Sequence, residues 1–365
     1  MKDDVYRMEE DFHGNDRKTN RKDRKIAIAK DRSKYKKSDQ DQLKKRLPTT
    51  LSHDENLMRG RVLSIRPEGI FVESDGTMHK CMLKGSMKLD KGLLKNLIAI
   101  GDFVRFTHEG IILVIEERHS LLSRADNLSQ RKEQLIAVNI DQVLITMSVV
   151  FPALKPPLID RYIIAAIKGN MQPVLIINKI DLLTNDTPVA EQEKILFKEV
   201  IATYTSLNIP VFAISIKTGE GLDALKQAMQ GKSSVFSGQS GVGKSSLINA
   251  IFGTRFLTGD MVGKTNKGSH TTTVAELLPI EGGGFCIDTP GIKSFGMWDL
   301  DRNELKNYFK EMQDYAPHCR FLNCAHLEEP GCAVKKAVNE GKISILRFES
   351  YCALMANLAE EHRHR

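Results

Sequence analysis

Five short, nearly unbroken apolar runs, with helix-length segments between them, constrain this chain more than any other feature. They are Val143 to Val150, Pro173 to Asn178, Val211 to Ser215, Ser234 to Phe236 and Phe285 to Asp288. Runs this short and this apolar suit strands buried on both faces, as in a parallel sheet covered by helices. The helical segments are Ile159 to Ile167, about Gln192 to Tyr204, Leu222 to Met229 and Ser245 to Phe252. In the second of these, Ile195, Leu196, Val200 and Ile201 fall along one face. Alternation of β and α elements predicts a doubly wound α/β domain.

Two other textures flank it. Arg59 to Ser74 alternates apolar and polar residues around a Pro-Glu-Gly turn, and Met78 to Leu83, Phe103 to Phe106 and Ile111 to Glu116 continue with short strands. That much strand in about 60 residues predicts a small β-barrel of the OB-fold kind. After Gly296, Asp299 to Phe309 reads as a helix with Leu300, Leu305, Tyr308 and Phe309 as its apolar positions, and a last helix runs from about Ile343 to Leu358. The chain of 365 residues therefore divides into a tail (1–56), a barrel (57–122), an α/β domain (123–297) and a mostly helical C-terminal domain (298–365). With 41% hydrophobic residues it has ample material for these cores.

Charge is unevenly placed. Residues 1–50 hold 16 Lys and Arg against 10 Asp and Glu, so almost all of the net +7 sits in a segment poor in large apolar side chains. Such a segment cannot offset its own ordering entropy and is expected to be a disordered tail. It is either merely solvated or an arm drawn to phosphate backbones. The uncharged stretch Gln142 to Leu154 is too short to span a bilayer, and the N-terminus has no apolar signal region. No lipidation motif or basic amphipathic helix is present, which argues against a membrane-bound switch. A cytoplasmic monomer is the expectation.

The chemistry is concentrated in a few motifs. Gly238-Gln239-Ser240-Gly241-Val242-Gly243-Lys244-Ser245 fits the phosphate-binding pattern G-x-x-x-x-G-K-[ST], with a strand before it and a helix after it. Backbone N–H groups and the helix N-terminus cradle phosphates there, with Ser246 next in line. Lys244 is placed for the β- and γ-phosphates, and the Ser245 hydroxyl for Mg²⁺. Asn178-Lys179-Ile180-Asp181, at the end of a strand, offers a carboxylate that can accept from both N1–H and the 2-amino group of guanine. Adenine lacks both donors, so such a site discriminates strongly. Ser215-Ile216-Lys217 backs the same base, while Asp288-Thr289-Pro290-Gly291 supplies a second magnesium-side carboxylate and, in Gly291, a γ-phosphate-sensing N–H. In the glycine- and threonine-rich loop Gly268 to Thr273, Thr272 is the favoured second magnesium ligand, with Thr271 the alternative.

Along the chain the base-reading motifs precede the phosphate-reading ones, the reverse of the usual GTPase order, so the domain is circularly permuted. Downstream, Cys319-x₄-Cys324-x-His326-x₅-Cys332 brings three thiols and one imidazole within 14 residues, a ligand set for one tetrahedral structural Zn²⁺. Cys81, Cys286 and Cys352 read as core residues. Barrel, permuted motifs and Cys/His cluster together resemble the family of ribosome small-subunit-dependent GTPases A (RsgA, also called YjeQ) over roughly residues 57–360. The resemblance implies a GTP hydrolase that binds the 30S subunit and its 16S rRNA late in maturation and is stimulated by that subunit. Ser269 departs from the basic residue frequent in the family. A GTP-regulated RNA-binding switch outside the ribosome is the alternative.

Position 292, where many GTPases carry a water-orienting glutamine, is Ile292. Another group must therefore place the attacking water, and His270 in the threonine-rich loop is the candidate, to which the family resemblance also points. The alternative is a loop histidine facing solvent. Low turnover is expected without the ribosome.

Overall fold

The structure is a computed structural model that describes residues 57–85, 97–126, 129–184, 188–252, 276–280, 282–288, 300 and 302–363. The expected tail lies outside them.

Strands β1 (Met58–Arg66), β2 (Gly69–Ser74), β3 (Thr77–Leu83), β4 (Phe103–Phe106) and β5 (Ile111–Ile115) follow in the order β1-β2-β3-β5-β4, and β4 pairs back onto β1. The result is a closed five-stranded barrel. Alternation does what the sequence suggested: Val62, Val72, Cys81, Val104, Phe106 and Ile112 fill the interior. Asp102 and Arg118, both buried, lock the base of the barrel through two hydrogen bonds of 2.7 and 2.8 Å.

The α/β domain is built on β8 (Gln142–Ser148), β9 (Gln172–Asn178), β10 (Val211–Ala213), β11 (Ser233–Ser237) and β13 (Phe285–Asp288), parallel and ordered β10-β9-β8-β11-β13. Every residue of β8 and β11 is buried. Helix α1 (Pro156–Lys168) covers β8 and β9 on one face. On the other face, α3 (Leu222–Met229) and α4 (Lys244–Phe252) bury Leu225, Met229 and Leu247 against Leu144, Ile176 and Phe236. Helix α2 (Pro188–Ser206) corrects one expectation, because Ile195 is 61% exposed. The buried residues of this helix are Val200, Thr203 and Tyr204. It touches β10, the turn at Ile180–Thr184 and the C-terminal helix, and among its described residues the fully buried ones lie in its second half.

Two elements were not legible in the sequence. A hairpin of β6 (Leu121–Asp126) and β7 (Ser129–Val138) forms a separate two-stranded sheet. Its second strand begins Ser-Gln-Arg-Lys-Glu-Gln, with no apolar alternation to announce it. Strand β12 (Glu276–Pro279) runs antiparallel to β13 and also pairs with β1, Ser64 opposite Glu276. Arg66 and Glu276 add an ion pair at 3.1 Å. Through β12, the barrel and the parallel sheet form one eleven-stranded sheet.

The expected helix over Asp299 to Phe309 is shorter than its apolar pattern. Helix α5 (Arg302–Leu305) passes into a 3₁₀ turn, Lys306–Tyr308, and Phe309 leaves helical geometry at φ −103°, ψ 74°. Phe309 is fully buried under Arg347 and against Tyr351, so tertiary packing overrides local helix preference. Helices α6 (Lys310–Gln313), α7 (Ala333–Asn339) and α8 (Ile345–Arg363) complete the C-terminal part. Its core includes Ile164 of α1. A buried polar network reinforces that junction. Arg347 of α8 bonds Asp160 of α1 and, at 2.6 Å, Glu311, while Tyr204 donates to Asp160 at 2.7 Å.

Candidate functional site

The motif-bearing loops leave the parallel sheet at one edge. Asn178 ends β9, Ser215 follows β10, Gly238 follows β11 and Asp288 ends β13. Ligands of open α/β sheets bind at the carboxyl ends of the strands. At Gly238, with φ 143°, a Cβ would lie 2.0 Å from the Thr146 carbonyl oxygen, so a side chain is excluded where the loop leaves the sheet. At Gly243, with φ 94°, a Cβ would meet Asn178 Nδ2 at 2.7 Å. That clash matters because Asn178 is the strut between the two halves of the site.

The strut is a set of hydrogen bonds. Asn178 Nδ2 donates to the Val242 carbonyl at 2.9 Å, and Asn178 Oδ1 accepts from the Lys179 N–H at 2.7 Å. Lys179 Nζ donates to the Gly241 carbonyl at 2.8 Å and to the carbonyl of Phe151. The Asn178-Lys179 segment and the glycine loop, more than 60 residues apart in sequence, are thereby fixed against each other. Ser215, fully buried, donates its hydroxyl to Asp181 Oδ1 at 2.7 Å and accepts the Thr218 N–H at 3.2 Å. One carboxylate oxygen is aimed by that hydroxyl. Ile216 packs into the core beside Gly243, and Lys217 is exposed.

Within the glycine loop, Lys244 Nζ donates to the carbonyls of Gly238 and Gln239 at 2.6 and 2.7 Å. Ser240, Gly241, Ser245 and Ser246 are exposed at the surface of the loop and the first turn of α4, whereas Val242 is buried. Asp288 is placed by its backbone at the end of β13, opposite Glu276. His270, Thr271, Thr272 and Gly291 lie outside the described residues. The Phe151 carbonyl is a contact that the sequence could not reveal, since a main-chain acceptor carries no residue signature.

The Cys/His cluster comes together as its spacing suggests. One ligand atom from each of Cys319, Cys324, His326 and Cys332 lies within 4.8 Å of every other. His326 Nδ1 stands 3.6 Å from Cys319 Sγ and 3.4 Å from Cys332 Sγ, and the two sulfurs are 3.8 Å apart. A tetrahedron with metal–sulfur bonds near 2.3 Å has edges of about 3.8 Å, so the donors fit one metal ion. Burial pushes the Cys324 thiol up to about 12 and the His326 imidazole down. The loop is held from outside: Glu329 accepts the Ala325 and Leu327 N–H groups at 2.7 and 2.9 Å. Tyr351 donates to the Ala325 carbonyl at 2.9 Å, and Lys335 to the Leu327 carbonyl at 2.9 Å. Such outer contacts orient ligands before metal arrives.

Comparison with known proteins agrees with this architecture. Residues 115–298 match the RsgA GTPase family. A protein of Bacteroides fragilis called "Small ribosomal subunit biogenesis GTPase RsgA" is 37% identical over 297 residues, covering 80% of this chain and 93% of that protein. Among solved structures, YjeQ from Thermotoga maritima superposes with a TM-score of 0.65 at 34% identity, covering 83% of this chain and 99% of the other. YloQ, described as a circularly permuted GTPase, gives 0.63 at 27% identity over 85% of this chain and 98% of the other. With the permuted motifs meeting at one sheet edge and relatives matched over nearly their whole length, the chain belongs to the RsgA GTPase family and is a GTP hydrolase.

Proposed function

We propose that this GTPase binds the small (30S) ribosomal subunit through its 16S rRNA and acts late in the subunit's maturation, with hydrolysis stimulated by the subunit. The observation that carries the GTP half is the strut from Asn178 and Lys179 to Val242 and Gly241, which makes one site of two motifs. Similarity to proteins called small ribosomal subunit biogenesis GTPases carries the other half and favours it over an RNA-binding switch outside the ribosome.

In this reading Asp181 accepts from guanine N1–H and the 2-amino group while Ser215 fixes the carboxylate. Asn178 and Lys179 brace the loop, and Ile216 and Lys217 border the base. Backbone N–H groups from Gly238 to Ser246 surround the phosphates, and Lys244 turns from its two carbonyls toward the β- and γ-phosphate oxygens. Ser245, Thr272 and the Asp288 carboxylate are the residues that would hold Mg²⁺ directly or through water; the ion supplies charge neutralisation across the β- and γ-phosphates. Gly291 reports the γ-phosphate, and His270 positions the attacking water in place of a glutamine at Ile292. Zn²⁺ is the metal proposed for Cys319, Cys324, His326 and Cys332. With four protein donors it has no open position, so its role is to hold the fold. The four segments serve as tail (1–56), barrel (57–122), GTPase domain (123–297) and zinc domain (298–365), in a cytoplasmic monomer.

The test is co-sedimentation of the full chain with purified ribosomal subunits across a salt series, with GDP or a non-hydrolysable GTP analogue. Small-subunit binding that depends on the analogue is the expected result. Equal binding to both subunits, or none with either nucleotide, overturns the ribosomal part of the proposal.

A further inference from the structure

The loop joining β8 to α1 is bound into the nucleotide site, yet the roles assigned so far leave its most conspicuous side chain unused. Ser148 Oγ donates to the Pro152 carbonyl at 2.7 Å, and Lys179 Nζ donates to the Phe151 carbonyl. A Cβ built on Gly241 would meet the Pro152 ring at 3.7 Å. Residues 151 and 152 therefore lie against the glycine loop on its Gly241 side.

Phe151 occupies the left-handed backbone region at φ 48°, and its residue is 79% exposed. Both conditions are unfavourable for a phenylalanine. Left-handed geometry strains a bulky residue, and glycine or asparagine is the ordinary occupant. Exposure withholds the gain that burying an aromatic ring brings. Strain at one position, imposed by neighbours that over-determine it, is characteristic of ligand clamps. Here the neighbours are Lys179, which braces the site, and the glycine loop.

The Phe151 carbonyl fixes which part of a ligand lies beside this residue. Asp181 marks the base end of the site, and the Gly238–Lys244 loop marks the phosphate end. The Lys179 side chain runs between them, and its ammonium, where Phe151 is attached, sits at Gly241. Between base and phosphates in a nucleotide lies the ribose, whose C–H face is apolar. We propose that Phe151 is a nucleotide-contacting residue whose ring packs against the ribose of the bound guanine nucleotide and slows its release. The inference rests on the nucleotide site proposed above. Because ribose is common to GDP and GTP, the ring adds affinity for both equally and leaves base choice to Asp181.

The test separates ring from backbone. Phe151→Asn removes the ring but keeps a residue that tolerates left-handed geometry. Calorimetry with unlabelled GDP and with a non-hydrolysable GTP analogue is expected to show both dissociation constants raised about 5- to 30-fold, the range for losing an aromatic contact. Faster release accounts for most of it, and the thermal midpoint of the nucleotide-free protein is unchanged or higher. Phe151→Trp in a Trp298→Phe background, which removes the chain's single tryptophan, is expected to transfer energy to a fluorophore carried on the ribose of GDP, where Trp298→Phe alone does not. Phe151→Asn binding GDP within twofold of wild type, or no transfer from the introduced tryptophan, overturns this inference alone. A wild-type protein that fails to bind GDP overturns the site itself and this inference with it.

Discussion

At Asp181 a single carboxylate has two obligations. It is hydrogen-bonded by Ser215 at 2.7 Å and is proposed to take two donors of guanine. Asp181→Asn replaces an anionic acceptor with a neutral amide that also presents a donor. GTP affinity is expected to fall on the order of 10²-fold or more, since hydrogen bonds to charged groups are each worth about 1.5–3 kcal/mol. Xanthosine triphosphate, with a carbonyl in place of the 2-amino group, restores much of the loss, and competition binding measures both. Ser215→Ala removes only the aiming hydroxyl and is expected to cost about tenfold or less. Individual residues were the best-read scale of the sequence. The motif spacing named Asn178, Asp181, Ser215 and Gly238, and the structure brings their loops to one sheet edge. Contacts made by main-chain carbonyls, those of Val242, Gly241 and Phe151, carry no residue code and had to be seen.

Among elements, α8 and the Cys/His loop decide the C-terminal part. Arg347 and Asp160 are both almost wholly buried, on α8 and α1 respectively, and Glu311 and Phe309 complete the cage around the guanidinium. Breaking a buried ion pair leaves an uncompensated charge, so Arg347→Ala is expected to lose about 3–5 kcal/mol of stability. Urea denaturation checks it, and adding Asp160→Asn is expected to recover part of the loss because the stranded charge is gone. Cys324→Ala is expected to release the metal and melt α6 and α7, while nucleotide affinity changes much less, since the ligands lie outside the sheet edge. Metal analysis of freshly purified wild type is expected to give one zinc per chain; clearly less would count against a structural zinc. Elements were legible where a periodic apolar pattern met a core. The pattern misled at Ile195, where the facing core ends, and at Phe309, where burial broke the helix. It said nothing about β6–β7, where Ser-Gln-Arg-Lys-Glu-Gln shows no apolar alternation, or about β12, whose four residues are too few for a period to show.

For the whole molecule, hydrolysis is expected to depend on its partner. Ile292 cannot orient water, so the role proposed for His270 is expected to show in the complex with the subunit. His270→Ala is expected to leave GTP affinity and subunit binding near normal while removing subunit-stimulated turnover by 10²- to 10⁴-fold, on the order of what a positioned acid–base group supplies. Full stimulated turnover in that variant, measured as phosphate release, would return His270 to the role of a solvent-facing loop residue and place the water in the charge of a ribosomal group.

Strand β12 has a consequence for how the chain is made. Its pairing joins Ser64 to Glu276, and the Arg66–Glu276 bond spans 210 positions of sequence. Chains fold from the N-terminus as they are synthesised. The barrel, whose five strands are complete by Ile115, can close before the parallel sheet is made. On β1, Met58 to Arg61 are paired with β4, but the stretch at Ser64 then waits another 160 or so residues for its partner, until the strand after the glycine loop has been added. Until then that stretch is an open template for other strands, even though the Asn178-Lys179 segment and the glycine loop have already been made. Closure of the seam and completion of the sheet that carries the nucleotide site thus both wait on the one short segment that holds β12 and β13.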